Sequence, residues 1–246
     1  MKYFGNTHIG NVRDENQDIF GILRIGDGVC LTVCDGMGGE NGGSIASSVA
    51  LENYHEFVMQ SVGNENVLEM DSEKLTDILS NGVKCAHEKV MEKARENEDL
   101  EGMGTTIVSA FVRDGHAFVV NVGDSRCYVL KDKKLSKVTK DHSLVQGLVD
   151  SGLITEEEAE KHPDKNCITK AVGIDIDTGA DAFYVPSFEY ILLCSDGLTN
   201  MVSVEEIKNI ILDKIDPESA VCALIDKARE NGGYDNITVA LIKEEY

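Results

Sequence analysis

TTIVSAFVRDGHAFVVNVGDSRCYVLKDKKLSKVT, residues 105–139, is strand-like along its length. Its apolar residues fall in short runs rich in Val, Phe, Ile and Tyr, without the three-and-four spacing of a helix. Asp114-Gly115 is a hairpin signal and a lysine-rich turn precedes the last run, so the stretch reads as an antiparallel meander. Toward the N-terminus, residues 2–34 repeat this texture as two or three strands, with Gly26-Asp27-Gly28 at a hairpin turn. A glycine-rich loop at 36–43 leads into a helix that places Ala46, Ala50, Tyr54 and Phe57 on one face. Leu75, Leu79, Val83, Ala86 and Val90 mark a second helix, capped by Asp71 or Ser72.

On the C-terminal side, residues 142–170 break the strand rhythm. Asp141 or Ser143 caps a short helix that ends at Gly152, and a Thr155/Glu158 capping box starts another that stops before Pro163. Such a pair resembles a DNA reader in outline, but Glu156, Glu157, Glu158 and Glu160 argue for a lid over a site instead. Strands near 180–185 and 190–195 follow. A helix opens at Ser203/Glu206, and another opens at Asp216-Pro217 and closes at Gly232-Gly233. NITVALI (236–242) is the last strand. The expected fold is α+β, a four-layer α-β-β-α sandwich. Two antiparallel sheets pack face to face with a helix pair outside each, and 142–170 forms a flap insertion. No Pro/Ser/Gly-rich linker divides the chain, so residues 1–246 are expected to form one domain.

Asp plus Glu number 44 against 23 Lys plus Arg, a net charge of −21. That balance argues against nucleic acid and anionic membranes as partners, since both need basic surface. The seven cysteines form no C-x-x-C pair, and Cys30, Cys34, Cys127 and Cys194 lie in or beside apolar runs as small hydrophobes. A reducing, cytoplasmic location is expected, with no membrane-length apolar stretch.

Four apolar runs carry an aspartate at one end: Asp35, Asp124 and Asp196 follow a run, and Asp235 precedes one. A single Asp-Gly is usually a turn. Four acids tied to strand ends, which antiparallel pairing brings to one sheet edge, instead suggest carboxylates that either take up protons or surround cations. All-oxygen donors suit Mg²⁺ or Mn²⁺ better than zinc. Asp18, just before IFGIL, shares the placement of Asp235, and Arg13 offers a planar fork for phosphate oxygens. Other hydrolase chemistries lack their signatures. No cysteine has an arginine six residues on, and there is no G-x-S-x-G elbow, no Lys-Ser/Thr after the glycine loop and no H-E-x-x-H. The competing classes are a metal-free binding module and a metal-dependent phosphodiesterase or nuclease. The retained acids weigh against the first and the charge against the second.

Eight strings occur in order: RDENQD (13–18), VCDGMGG (33–39), GTT (104–106), NVGDSR (121–126), DHSLV (141–145), ITKAVG (168–173), CSDGL (194–198) and DNITV (235–239). Together they resemble the bacterial branch of the type-2C metal-dependent protein phosphatases, the PPM family. The resemblance implies hydrolysis of phosphoserine and phosphothreonine on proteins by metal-activated water, without a phosphoenzyme. It implies that Asp35 bridges two Mn²⁺ or Mg²⁺ ions, with the Gly36 carbonyl as a further ligand and Asp196 and Asp235 completing the pair. Asp124, with Asp196, would hold a weaker third ion. Asp18 would orient metal-bound water, Arg13 would bind the substrate phosphate, and 142–170 would be the variable flap. Met37 stands where animal relatives carry a histidine, which leaves protonation of the leaving oxygen to metal-bound water. Gln17 is neutral where those relatives are acidic, which implies a weaker second metal. The expected partners are phosphorylated proteins, targets of a bacterial Ser/Thr kinase, and the expected state is a monomer. His162, before Pro163, is a surface residue by default and a phosphate-side contact as the alternative.

Overall fold

The computed structural model describes residues 1–63, 72–174 and 178–245. Among the described residues eleven strands fall into two antiparallel sheets. The first contains β1 (Lys2–His8), β11 (Ile237–Lys243), β10 (Tyr190–Cys194), β7 (Arg126–Lys131) and β8 (Lys134–Lys137), in that spatial order. The second contains β2 (Asp18–Ile25), β3 (Gly28–Met37), β5 (Ile107–Arg113), β6 (His116–Val122) and β9 (Asp181–Val185), with the short β4 (Gly104–Thr105) on the end of β3. Residues 2–34 therefore make three strands, of which β1 joins the other sheet.

Three apolar layers hold the sandwich together. Between the sheets lie Leu31, Val33, Val108, Ala110, Ile191, Leu193, Ala240 and Ile242, all buried. Outside the second sheet pack α1 (Gly39–Gly63) and α2 (Ser72–Arg95), through Ala46, Ala50, Tyr54, Leu75, Leu79 and Val83. Outside the first sheet pack α6 (Val204–Asp213) and α7 (Pro217–Glu230), through Ile207, Ile211, Val221 and Leu224. The four-layer α-β-β-α expectation therefore holds. No helix among the described residues is long and apolar enough to cross a membrane.

The caps are local chemistry and fall where expected. Ser143 caps α3 (Leu144–Asp150), and Thr155/Glu158 and Ser203/Glu206 are complete capping boxes for α4 (Glu156–Glu160) and α6. Asp216 caps α7, with Pro217 opening it. The proposed Asp71 cap lies outside the described residues.

Three expectations need correction. The 105–139 stretch is not one meander. β5 and β6 pair through the Asp114-Gly115 turn, and β7 and β8 pair separately in the other sheet. The chain changes sheets at Gly123, whose φ of 104° suits a residue without Cβ. Helix α1 starts at Gly39, inside the glycine-rich segment. Glycine serves close approach there, because a Cβ on Gly36 would lie 2.1 Å from the Gly43 carbonyl oxygen. Val58, not Phe57, continues the buried face of α1.

Candidate active site

One edge of the sandwich gathers the predicted acids. Asp35 lies within β3 rather than after it, because Gly36 and Met37 continue the strand by pairing with Thr105 and Gly104 of β4. Asp18 opens β2 and is the cross-strand partner of Asp35. Asp124 sits in the crossover between the sheets. Asp196 opens the four-residue helix α5 (Asp196–Thr199) just after β10, and Asp235 stands just before β11. Strands β10 and β11 are antiparallel, so these two acids meet at the same edge, as the pairing argument requires.

The acids ring a cleft of about 530 Å³ lined also by Arg13, Gly36, Met37, Thr106 and Asn166. Asp18 does not line it; it is buried behind Asp35, and its Oδ2 accepts the Ser195 hydroxyl at 2.7 Å. Burial pushes the Asp18 carboxyl up to about 7, against the opposing hydrogen bonds of Ser195 and Thr238. Burial, then the Asp196 charge, lifts Asp124 to about 8. Asp35 is held well above the usual carboxylate range by burial and then by Asp18, Asp196, Asp124 and Asp235. Burial, then the Asp235 charge, also raises Asp196, so the gathered carboxylates call for protons or a cation among them.

Polar neighbours set the geometry. The Asp35 N–H donates to Thr106 Oγ1 at 3.0 Å, and that oxygen also meets Ser125 Oγ at 2.7 Å, tying Asp35 to the residue after Asp124. Asn200 Nδ2 donates to Asp196 Oδ2 at 2.9 Å. Arg13 reaches Asp235 Oδ2 at 2.8 Å. Asn236 holds the 9–17 segment at three points: its Oδ1 accepts the Gln17 N–H, and its Nδ2 donates to the carbonyls of Ile9 and Glu15, each at 2.9 Å. Gln17 donates to Glu15 Oε2 at 3.1 Å, and Ser44 to Glu15 Oε1 at 2.7 Å. Glu15 thus supplies a carboxylate to the corner that Gln17 leaves neutral.

The donor set fits a hard divalent cation: Asp35, Asp124, Asp196 and Asp235 line one cleft with Gly36, and the donors they offer are oxygen. Among the described residues no three acidic side chains close on a single point, since Asp235 is turned to Arg13 and Asp196 to Asn200. The flap contributes Asn166 and Ile168 to the cleft wall. His162 lines neither this cleft nor its neighbour; its Nδ1 accepts the Asp164 N–H at 3.1 Å, which favours the surface reading.

Sequence reasoning did not pick out Thr106, Ser195, Asn200, Glu15 or Asn236. All but Asn200 lie inside the quoted strings, and a small polar residue beside a strand-end acid was the available signal.

Residues 4–222 match the family model described as Protein phosphatase 2C. The chain belongs to the protein phosphatase 2C family. It is 35% identical over 242 residues to the serine/threonine phosphatase stp of Listeria monocytogenes, covering 97% of this chain and 94% of that one. The crystal structure of the serine/threonine phosphatase Stp1 from Staphylococcus aureus superposes with a TM-score of 0.90 at 35% identity, covering 99% and 95% of the two chains. The catalytic domain of the serine/threonine protein phosphatase PstP, solved in complex with two manganese ions, gives a TM-score of 0.82 at 29% identity over 98% of this chain and 96% of that one. This phosphatase chain thus shares its fold with relatives along nearly its whole length.

Proposed function

We propose that the chain hydrolyses phosphoserine and phosphothreonine on proteins, using two Mn²⁺ or Mg²⁺ ions and no phosphoenzyme. The observation that carries this is one cleft holding Asp35, Asp124, Asp196 and Asp235 with Arg13 at its rim. Asp35 would hold both ions, with the Gly36 carbonyl, Asp196 and Asp235, and Asp124 with Asp196 would hold a weaker third. Bound there, the ions supply an activated water at neutral pH and neutralise phosphate charge.

The chain's own residues do the rest. Arg13, more than half exposed, can leave Asp235 and place its guanidinium fork on the phosphate oxygens. Asp18 acts from behind the wall: with Ser195 fixed on its Oδ2, it keeps the floor beneath Asp35 ordered and can hold a proton. Met37 lines the cleft where an acid would protonate the leaving oxygen, so water in the cleft provides that proton. Residues 1–246 act as one catalytic domain with 142–170 as its flap. The enzyme works as a cytoplasmic monomer on targets of a bacterial Ser/Thr kinase. The bacterial relatives and the four buried, unpaired thiols of Cys30, Cys34, Cys127 and Cys194 support that setting.

The test is phosphate release from a phosphothreonine peptide with and without Mn²⁺, beside Asp35→Asn and Asp196→Asn, with Mn²⁺ binding measured by calorimetry. Loss of release and of binding in both variants is expected. Release that survives chelation or both substitutions would sink the two-metal mechanism.

A further inference from the structure

The flap, β7 and the α5–α6 segment enclose a second cavity of about 650 Å³. It runs into the catalytic cleft, and the two share Asp124, Asn166 and Asp196. A chain whose phosphoresidue sits over the acids therefore has a built exit along this groove.

The charges in the groove are uneven. Arg126 and Lys137 are both spent on Asp141, at 2.6 and 3.3 Å. Glu206 accepts the Ser203 hydroxyl at 2.7 Å as part of its helix cap. Apart from Asp124 and Asp196, which belong to the catalytic cleft, what remains is Glu156 and two flap lysines, Lys161 and Lys165, neither lysine with an ion-pair partner among the described residues. Two unneutralised cations beside the active centre stand out in a chain of net charge −21. Lys165 is also placed by geometry. Its Nζ donates to Asn200 Oδ1 at 3.4 Å, and Asn200 donates to Asp196 Oδ2 at 2.9 Å. The ammonium is thus two hydrogen bonds from the acid cluster, on the groove side. Two such bonds and the amide between them span about 8 Å, and an extended chain advances roughly 3.3–3.6 Å per residue.

We infer that this groove receives the substrate chain beside the phosphoresidue, and that Lys161 and Lys165 select an anionic group two to four positions along it. The group is a carboxylate or a second phosphate, which offer the lysines the same chemistry. The inference rests on the phosphatase reading above and adds a substrate class to it: phosphoproteins whose target site is followed or preceded by acid. The bulk surface charge by itself would predict the reverse, a preference for basic targets.

The experiment uses the full chain with saturating Mn²⁺ and four phosphothreonine peptides. Their flanking positions are alanine, glutamate before the target, glutamate after it, or phosphoserine after it. The expected result is a higher kcat/KM for an anion-flanked peptide, expressed in KM rather than kcat. The gain should be about threefold per lysine and about tenfold for both, as for partly exposed ion pairs. The preference should shrink in roughly 0.5 M salt. Lys161→Ala with Lys165→Ala should abolish it, Lys165→Glu should turn it toward lysine-flanked peptides, and Lys133→Ala on the distant β7–β8 turn should leave it intact. The glutamate and phosphoserine arms identify which anion is preferred. Equal kcat/KM for alanine- and anion-flanked peptides would overturn the groove inference alone, as would a preference that survives the double substitution. No release from any of the peptides would overturn the phosphatase reading itself.

Discussion

Replacing Asn236 with alanine should both destabilise the fold and detune the site, because one buried amide pins the 9–17 stretch at three points. Its Oδ1 takes the Gln17 N–H, and its Nδ2 serves the carbonyls of Ile9 and Glu15. The N-terminal segment so held carries Arg13 and Asp18, and Asn236 itself adjoins Asp235. Each lost bond costs about 1 kcal/mol. Ile9, Glu15 and Gln17 are only half-buried, so water recovers part of this, and about 2–3 kcal/mol remains. For a chain of this length that lowers the melting temperature by about 5–10 °C. Arg13 also loses its register against Asp235, and a misplacement near 1 Å costs on the order of a hundredfold in kcat/KM. Differential scanning calorimetry and phosphopeptide kinetics read the two effects. Asn236→Asp keeps the acceptor for Gln17 but turns a carboxylate toward two carbonyls, so it should do no better than alanine. A melting temperature within about 1 °C of wild type would refute the pinning argument. A clear loss of stability with unchanged kcat/KM would refute the link to Arg13.

Two further predictions concern pH. Burial pushes the His55 pKa down to about 4, so the unfolded chain takes the proton first as pH falls. That contribution is intact above about 6.5 and is lost between about 6.5 and 4, on the order of 3 kcal/mol in full. His55→Gln should flatten the melting-temperature profile over that window, and an unchanged profile would contradict the assignment. Asp18 and Asp124 are shifted the other way, to about 7 and about 8, so their contribution is present at low pH and lost as pH rises through those values. EDTA-treated protein should therefore melt lower as pH rises from about 5 to 8.5, and saturating Mn²⁺ should reverse that slope. Parallel slopes with and without Mn²⁺ would refute the account.

What could be read ahead of the structure was whatever chemistry is local. The Ser203/Glu206 and Thr155/Glu158 boxes, the Asp216-Pro217 opening and the α2 face from Leu75 to Val90 depend on residues within a turn or two of each other. The sheet change at Gly123 was not legible. Two strands joined by three residues usually pair, and only the inter-sheet layer sends β7 to the other sheet. Among the site residues, the acids announced themselves by charge at strand ends. Asn236 did not, since its bonds reach 219 to 227 residues back along the chain. Helix α5 is too short to leave a periodic signal.

The crossover at Gly123 also makes the acid cluster a joint between two plates. Asp35 belongs to one sheet, Asp196 and Asp235 flank strands of the other, and Asp124 lies on the chain that passes between them. Metal–oxygen distances tolerate only about 0.2 Å. The distance across the joint is set by the plates' spacing, and therefore by side chains with no polar atom at all, such as Val33, Leu193 and Ala240. The hydrocarbon filling works as a spacer gauge for the carboxylates, and an ion seated among them would act in turn as a rivet between the sheets.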